Sequence, residues 1–268
     1  MPTPELSIQL YSVRDAYQAD LPGTLDKLAK IGLRNVEAFG FVGRAAELRA
    51  ALDAAGLRAP SGHAPFLSDQ LRFGDTVVDV PPFESVLDDA AELGIEILID
   101  PMIGPERWKS RDEVEKTADR LNAVVDRAAE RGIRVGYHNH SQEFHHSFDG
   151  LTAYETFVSL LDERVLLEVD VFWAATGKQD VVALLERLGD RVRLLHAKDG
   201  IIGADPFLDG PDTVLDQRVA GTGDLDLPAI LAAAPSAEFA VIEFDTFDGD
   251  IFDAISQSAD FLRAEGVR

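Results

Sequence analysis

The sequence predicts an α/β chain folded as one (β/α)8 TIM barrel, a single domain over residues 1–268. Three observations carry that expectation. Short β-rich runs alternate with longer helix-patterned runs from end to end, the sequence form of repeated βα units on a parallel sheet. Eight strands alternating with eight helices close naturally into a barrel, whereas an open doubly wound sheet more often has five to seven strands. A 268-residue chain with 46% hydrophobic residues also has the usual size of one such barrel and enough apolar side chains for a large core.

The strands are predicted at 6–11, 35–39, 58–63, 96–100, 134–139, 166–171, 192–197 and 239–244, where apolar and β-branched residues cluster. The helices fall between and after them, at 22–32, 43–56, 82–94, 111–131, 151–161, 179–189, 227–234 and 251–265. Glycines such as Gly56 and Gly94 mark helix ends, because only glycine enters a left-handed stop without strain. Two longer connections, 64–82 and 200–226, follow the third and seventh strands and are rich in Gly, Pro and Asp. In a barrel such loops rise over the catalytic face, which makes them candidate lids and substrate walls. Neither G-x-G-x-x-G nor G-x-x-x-x-G-K-[ST] occurs, so a nucleotide cofactor is not expected.

Composition narrows the chemistry. A formal net charge of −23 repels phosphodiester backbones and anionic headgroups, so neither nucleic acid nor membrane is expected as a partner. No cysteine is present, which excludes disulfides, thiolate nucleophiles and Cys-ligated zinc. A metal would have to sit on His, Asp and Glu. No basic and apolar leader opens the chain and no run approaches a membrane span, so the expected location is cytoplasmic.

The polar residues concentrate at strand ends. The fifth predicted strand runs into His138 and His140, the sixth carries Asp170, the seventh His196 and the eighth Glu243. Burying such groups at the tails of apolar strands costs several kcal/mol unless they are paired or share a cation. One βα unit separates each from the next, so His138, Asp170, His196 and Glu243 can converge near the barrel axis on one divalent metal. This mixed nitrogen and oxygen set suits Mn, Zn, Co or Fe better than Ca.

The same segments resemble the xylose isomerase-like barrel superfamily, the sugar phosphate isomerases/epimerases that include tagatose 3-epimerases and inosose dehydratase. The resemblance spans nearly the whole chain: IQLYSVRD, GLRNVEAFGF, SGHAPF, YHNHSQEF, LEVDVFWAATGKQD, LLHAKDG and AVIEFD. It implies a metal held by Asp170, His196 and Glu243, and a small polyhydroxylated substrate. In epimerase-type members the fifth strand ends in a Glu that is both ligand and acid/base; here His138 stands there. That leaves Glu243 as the carboxylate base and favours chemistry needing fewer carboxylates, such as β-elimination from a ketoinositol or keto-glycoside. Glu143, just beyond the strand, is the candidate second acid/base, and Lys198 a candidate for a hydroxyl or carbonyl oxygen.

For substrate contact the sequence offers His63, His140, Glu37 and Arg14, with Trp173 as an apolar face for a sugar ring and Arg218 in the long seventh loop. Each has a plainer reading as core packing, a buried polar network or loop surface. The expected activity is therefore metal-dependent enolisation of a ketose, ketoinositol or keto-glycoside, ending in isomerisation, epimerisation or elimination. Two alternatives stand against it. One is a non-catalytic sugar-binding or partner barrel. The other is an endonuclease IV-like phosphodiesterase, which the acidic surface and only six histidines disfavour. The resemblance also raises a homo-oligomer, since barrels of this group are often dimers or tetramers.

Overall fold

In a computed structural model that describes residues 3–73, 76–210 and 212–268, the eight strands appear where the sequence places them. They are β1 (Glu5–Ile8), β2 (Asn35–Phe39), β3 (Arg58–His63), β4 (Ile97–Asp100), β5 (Arg134–His138), β6 (Leu166–Asp170), β7 (Val192–His196) and β8 (Phe239–Ile242). All pair in parallel in the order β1-β8-β7-β6-β5-β4-β3-β2. A parallel bridge between Gln9 and Glu37 brings β1 back to β2 and closes the barrel.

Two apolar layers hold it together. The larger lies between the barrel's outer face and the surrounding helices, with Val36, Leu98, Tyr137, Val169 and Leu195 from the strands. The smaller is a plug made by Ile97, Ile99, Leu194, Phe239 and Val241, packed against Leu166. Because strand side chains alternate faces, the residues two places further along these strands lie above the plug. Gly136 is required at this level: a Cβ there would stand 2.6 Å from Ile99 Cδ1 and 2.8 Å from the Leu166 carbonyl oxygen.

Helix boundaries differ from expectation at two instructive places. The predicted 111–131 helix is two segments, Arg111–Asn122 and Val125–Ala129. At the break the Asn122 amide donates to the Leu160 carbonyl and accepts from the Asp162 N–H, tertiary bonds that no local pattern announces. A short helix, Val171–Thr176, begins directly after β6, capped by the Asp170 side chain, which accepts from the Trp173 N–H at 2.8 Å.

The two long loops are structured. Loop 64–82 contains an antiparallel ribbon of Gln70–Phe73 and Thr76–Asp79. Loop 200–226 pairs Asp216–Arg218 with Asp199–Ile201 and includes the turn of helix Pro206–Asp209. Buried carboxylates pin them. Asp100 Oδ2 accepts from the N–H groups of Phe66 and Leu67 at 2.7 and 2.8 Å. Asp199 accepts from the N–H groups of Gly221 and Gly223, both at 2.9 Å. Asp205 bridges two loops, taking the Ser141 hydroxyl and lying 2.8 Å from His145 Nε2. No helix among the described residues is long and apolar enough to cross a membrane.

Candidate active site

Above the apolar plug the inward rows turn polar on neighbouring staves. On β6 the row is Leu166, Glu168, Asp170; beyond β7 it continues Leu194, His196, Lys198; beyond β8, Val241, Glu243, Asp245. With Glu37 from β2, His63 from β3 and His138 from β5, the polar side chains form one cluster, buried except at Asp245, which is partly exposed. A cleft of about 370 Å³ opens over it. Its floor includes His63, His138, His140, Glu243 and Asp245. Its walls are largely apolar, with Phe39, Phe41, Val42, Leu71, Pro81 and Met102.

The cluster is wired by short contacts. His196 Nε2 lies 2.7 Å from Glu37 Oε1, and its Nδ1 lies 2.6 Å from Glu243 Oε2. His63 Nε2 lies 2.5 Å from Glu168 Oε2 and 3.1 Å from Glu37 Oε1, which also accepts from the Gln9 amide at 2.8 Å. The Lys198 ammonium stands among three carboxylates: Asp170 Oδ2 at 2.8 Å, Glu243 Oε2 at 2.7 Å and Asp245 Oδ2 at 2.9 Å.

Electrostatics follow from that geometry. Burial opposes charge on His196, but Glu168 and Glu243 outweigh it and raise its pKa well above the usual range. His63 is raised to about 10, burial being overcome by Glu37 and Glu168. His138 and His140 go the other way. Burial, reinforced by nearby cations, keeps His138 well below the ordinary value, and burial with Lys198 brings His140 to about 3. Burial raises Asp170 to about 6 against the pull of Lys198 and His196. Glu243, despite burial, is lowered by Lys198 and His196. Asp245 is raised by burial and by Glu243, against Lys198.

The structure brings His138, Asp170, His196 and Glu243 together, with one ligating atom of each within 4.8 Å of all the others. A second, overlapping group, His63, His138, Glu168 and His196, meets the same condition. Glu37 therefore lies inside the cluster, and His63, also a member of it, reaches the cleft floor. Lys198 also lies inside the cluster and does not pair with Asp199, whose carboxylate holds loop backbone. The donor set fits a divalent cation on an observation independent of spacing: Glu37 Oε2, Glu168 Oε1 and His138 Nδ1 are buried without hydrogen-bond partners. Buried acceptors left bare are costly, and a shared cation would relieve them.

Other expected site residues lie elsewhere. Glu143 is fully buried but does not reach the cluster. It accepts from the Tyr137 hydroxyl at 2.6 Å and the His140 N–H at 3.0 Å. The reason is strand alternation: Tyr137, the neighbour of inward His138, faces the helix layer against Trp108 and Phe157 and takes Glu143 with it. Arg218 is half-exposed in its ribbon and paired with Asp216. Arg14 stacks 4.2 Å over the ring of Tyr11, which itself lines the cleft. Trp173 is buried behind His140, ring centres 5.2 Å apart, and Phe207 packs against both rings, 5.6 Å from Trp173 and 5.7 Å from His140.

Two members of the cluster escaped the sequence reading, Glu168 and Asp245. Period two is the signal that marks them: Glu168 lies two residues from Asp170 and Asp245 two from Glu243, and so each shares its neighbour's strand face.

Comparison with known proteins agrees with this architecture. The family model described as xylose isomerase-like TIM barrel matches residues 25–265. A sugar phosphate isomerase/epimerase from Parabacteroides distasonis ATCC 8503 superposes with a TM-score of 0.77 at 26% identity, covering 98% of this chain and 95% of that one. A D-allulose 3-epimerase from Methylomonas sp. shares the fold, with a TM-score of 0.66 at 15% identity and 99% coverage of both chains. Inosose dehydratase of Klebsiella pneumoniae (strain 342) is 30% identical over 93 residues. That match spans 34% of this chain and 30% of the dehydratase.

Proposed function

Because the chain belongs to the xylose isomerase-like TIM barrel family, we propose that it is a divalent-metal-dependent enzyme that enolises a small keto-sugar, ketoinositol or keto-glycoside. The observation that carries this reading is the buried cluster of imidazoles and carboxylates, with partnerless acceptors, beneath an open cleft. His138 and His196, common to both donor groups, would hold the cation together with cluster carboxylates. The bound cation would polarise the substrate carbonyl and stabilise the negative charge that develops on its oxygen.

The chain's own residues supply the proton chemistry. Glu243 borders the cleft and is held ionised by Lys198 and His196, so its carboxylate is free to accept an α-proton, although the same cations lower its strength as a base. Lys198 holds the Glu243 carboxylate in place and directs positive charge toward the same part of the cleft. Asp245, on the cleft floor with a raised pKa, is the second carboxyl and can return a proton to carbon or to a departing oxygen. This fills the acid/base role that the fifth strand gives up by carrying His138. His140, neutral and cleft-lining, can accept or donate a hydrogen bond to a substrate hydroxyl.

The apolar walls favour one arm of this reading. A free hexose offers hydroxyls on most faces and gains little from Phe39, Val42 and Met102, whereas a keto-glycoside presents an apolar aglycone to them. Enolisation of such a substrate sets up β-elimination of the aglycone.

The test is α-proton exchange in D₂O with metal-loaded protein, screened across ketoses, inososes and 3-keto-glycosides. Exchange that Glu243→Gln abolishes supports the proposal. A folded, metal-loaded protein that catalyses no exchange on any of these classes refutes it.

A further inference from the structure

Two overlapping donor groups raise the question of which one takes the cation, and we infer that it is the inner group, His63, His138, Glu168 and His196, while Lys198 remains in the outer carboxylates. The inference rests on the metal-dependent reading above and deepens it.

Part of the inner group is spaced as the ligands of one ion would be. Glu168 Oε2 lies 3.3 Å from His138 Nδ1, 3.3 Å from His196 Nε2 and 2.5 Å from His63 Nε2. Ligands about 2.1 Å from a tetrahedral ion stand roughly 3.4 Å from one another. Two of the three separations match that spacing, and His63 needs to withdraw by only about 1 Å. Of the buried acceptors without a hydrogen-bond partner, Glu168 Oε1 and His138 Nδ1 belong to this group and Glu37 Oε2 adjoins it; Asp170 Oδ2, in the outer group, also lacks one but stands 2.8 Å from the Lys198 ammonium.

The outer group is already supplied with a cation. Both of its carboxylates, Asp170 and Glu243, have an oxygen within 3 Å of the Lys198 ammonium, at 2.8 and 2.7 Å. The other oxygen of Asp170 caps the helix that begins at Val171. An ion on these oxygens would be placed against a buried lysine that has no other acidic cage to occupy except through Asp245, part of the same cage.

The two groups differ in a way that can be read directly. In the inner group His138 presents Nδ1 and His196 presents Nε2 to Glu168. In the outer group the same rings present the opposite nitrogens, His138 Nε2 and His196 Nδ1, to Asp170. The inner set has three imidazoles to one carboxylate, a balance that suits Zn²⁺, Co²⁺, Ni²⁺ or Fe²⁺ better than Mg²⁺.

The experiment is binding of Zn²⁺ to the full chain by competition titration, for wild type, Glu168→Gln and Asp170→Asn. It is paired with ¹¹³Cd–¹⁵N correlation spectra of the wild type. Expected are a loss of at least about 100-fold in affinity for Glu168→Gln, a loss under about tenfold for Asp170→Asn, and cadmium on His138 Nδ1 and His196 Nε2. The reverse order of affinities, cadmium on the opposite nitrogens, or an ion in each group would overturn the inference while leaving a metal-dependent enzyme. The spectra decide the matter even where a variant fails to fold. No metal uptake by the wild type would instead overturn the functional reading on which the inference rests.

Discussion

Replacing Lys198 with Met keeps most of the side-chain volume and removes the positive charge that three carboxylates share. The ammonium is 1% exposed and lies 2.7 to 2.9 Å from Asp170, Glu243 and Asp245. Charge-assisted bonds of this kind are each worth about 1.5–3 kcal/mol, and breaking a buried ionic group from one side typically costs about 3–5 kcal/mol. The lower range applies because the carboxylates can retreat by taking protons: Asp170 already sits at about 6. A chain of this length has an unfolding entropy of about 0.56 kcal/mol/K, so the expected fall in Tm is about 5–9 °C. Calorimetry in EDTA measures it. The loss should shrink between pH 8 and pH 5.5, because carboxylates deprived of their cation bind protons more readily in the folded state, which favours folding as pH falls. A fall of less than about 1 °C, or one that is equal at both pH values, would refute the view that Lys198 neutralises a buried acidic cage.

Further outcomes follow from individual contacts. Glu243→Gln should retain the fold and lower α-proton exchange by about 10²–10⁴-fold, read by NMR in D₂O; a sugar-binding barrel without activity would show no exchange in either protein. Asp100→Ala leaves the N–H groups of Phe66, Leu67 and Met102 without their acceptor and should cost about 3 kcal/mol in denaturant unfolding. It should also raise KM more than it lowers kcat, since that loop leads into the cleft wall. Glu143 is raised by burial to about 7. The folded chain therefore holds a proton there that the unfolded chain releases from about pH 4.5 upward, and stability should fall as pH rises through about 7. Glu143→Gln should flatten that part of the Tm profile against pH.

Much of this was legible in the sequence, and the reasons are physical. Barrel strands are short apolar runs buried on both faces, so RVGYH, LLEVD and VRLLH stand out from amphipathic helices and locate the staves within a residue or two. Strand ends then locate the site, because His138, Asp170, His196 and Glu243 interrupt apolar runs at equivalent heights. Less legible was everything decided by contacts distant in sequence. Glu168 looks like an ordinary mid-strand residue until the barrel closes and sets it against His63, 105 residues away. Lys198 next to Asp199 suggests a local pair, yet the strand's alternation sends one inward and the other to loop backbone. Glu143 follows β5 by a few residues, which suggests a place at the mouth, yet its carboxylate is taken up by the Tyr137 hydroxyl and the His140 N–H. The contents of the two long loops depend on Asp100, Asp199 and Asp205, whose partners are set by tertiary structure.

Metal content of the gently purified chain, followed by chelation and reloading, tests the central claim most directly. One divalent ion per chain is expected, with α-proton exchange lost in chelator and restored by Zn²⁺, Co²⁺ or Mn²⁺. Protein that carries no metal, takes up none from solution, and exchanges α-protons at the same rate in chelator would contradict the account.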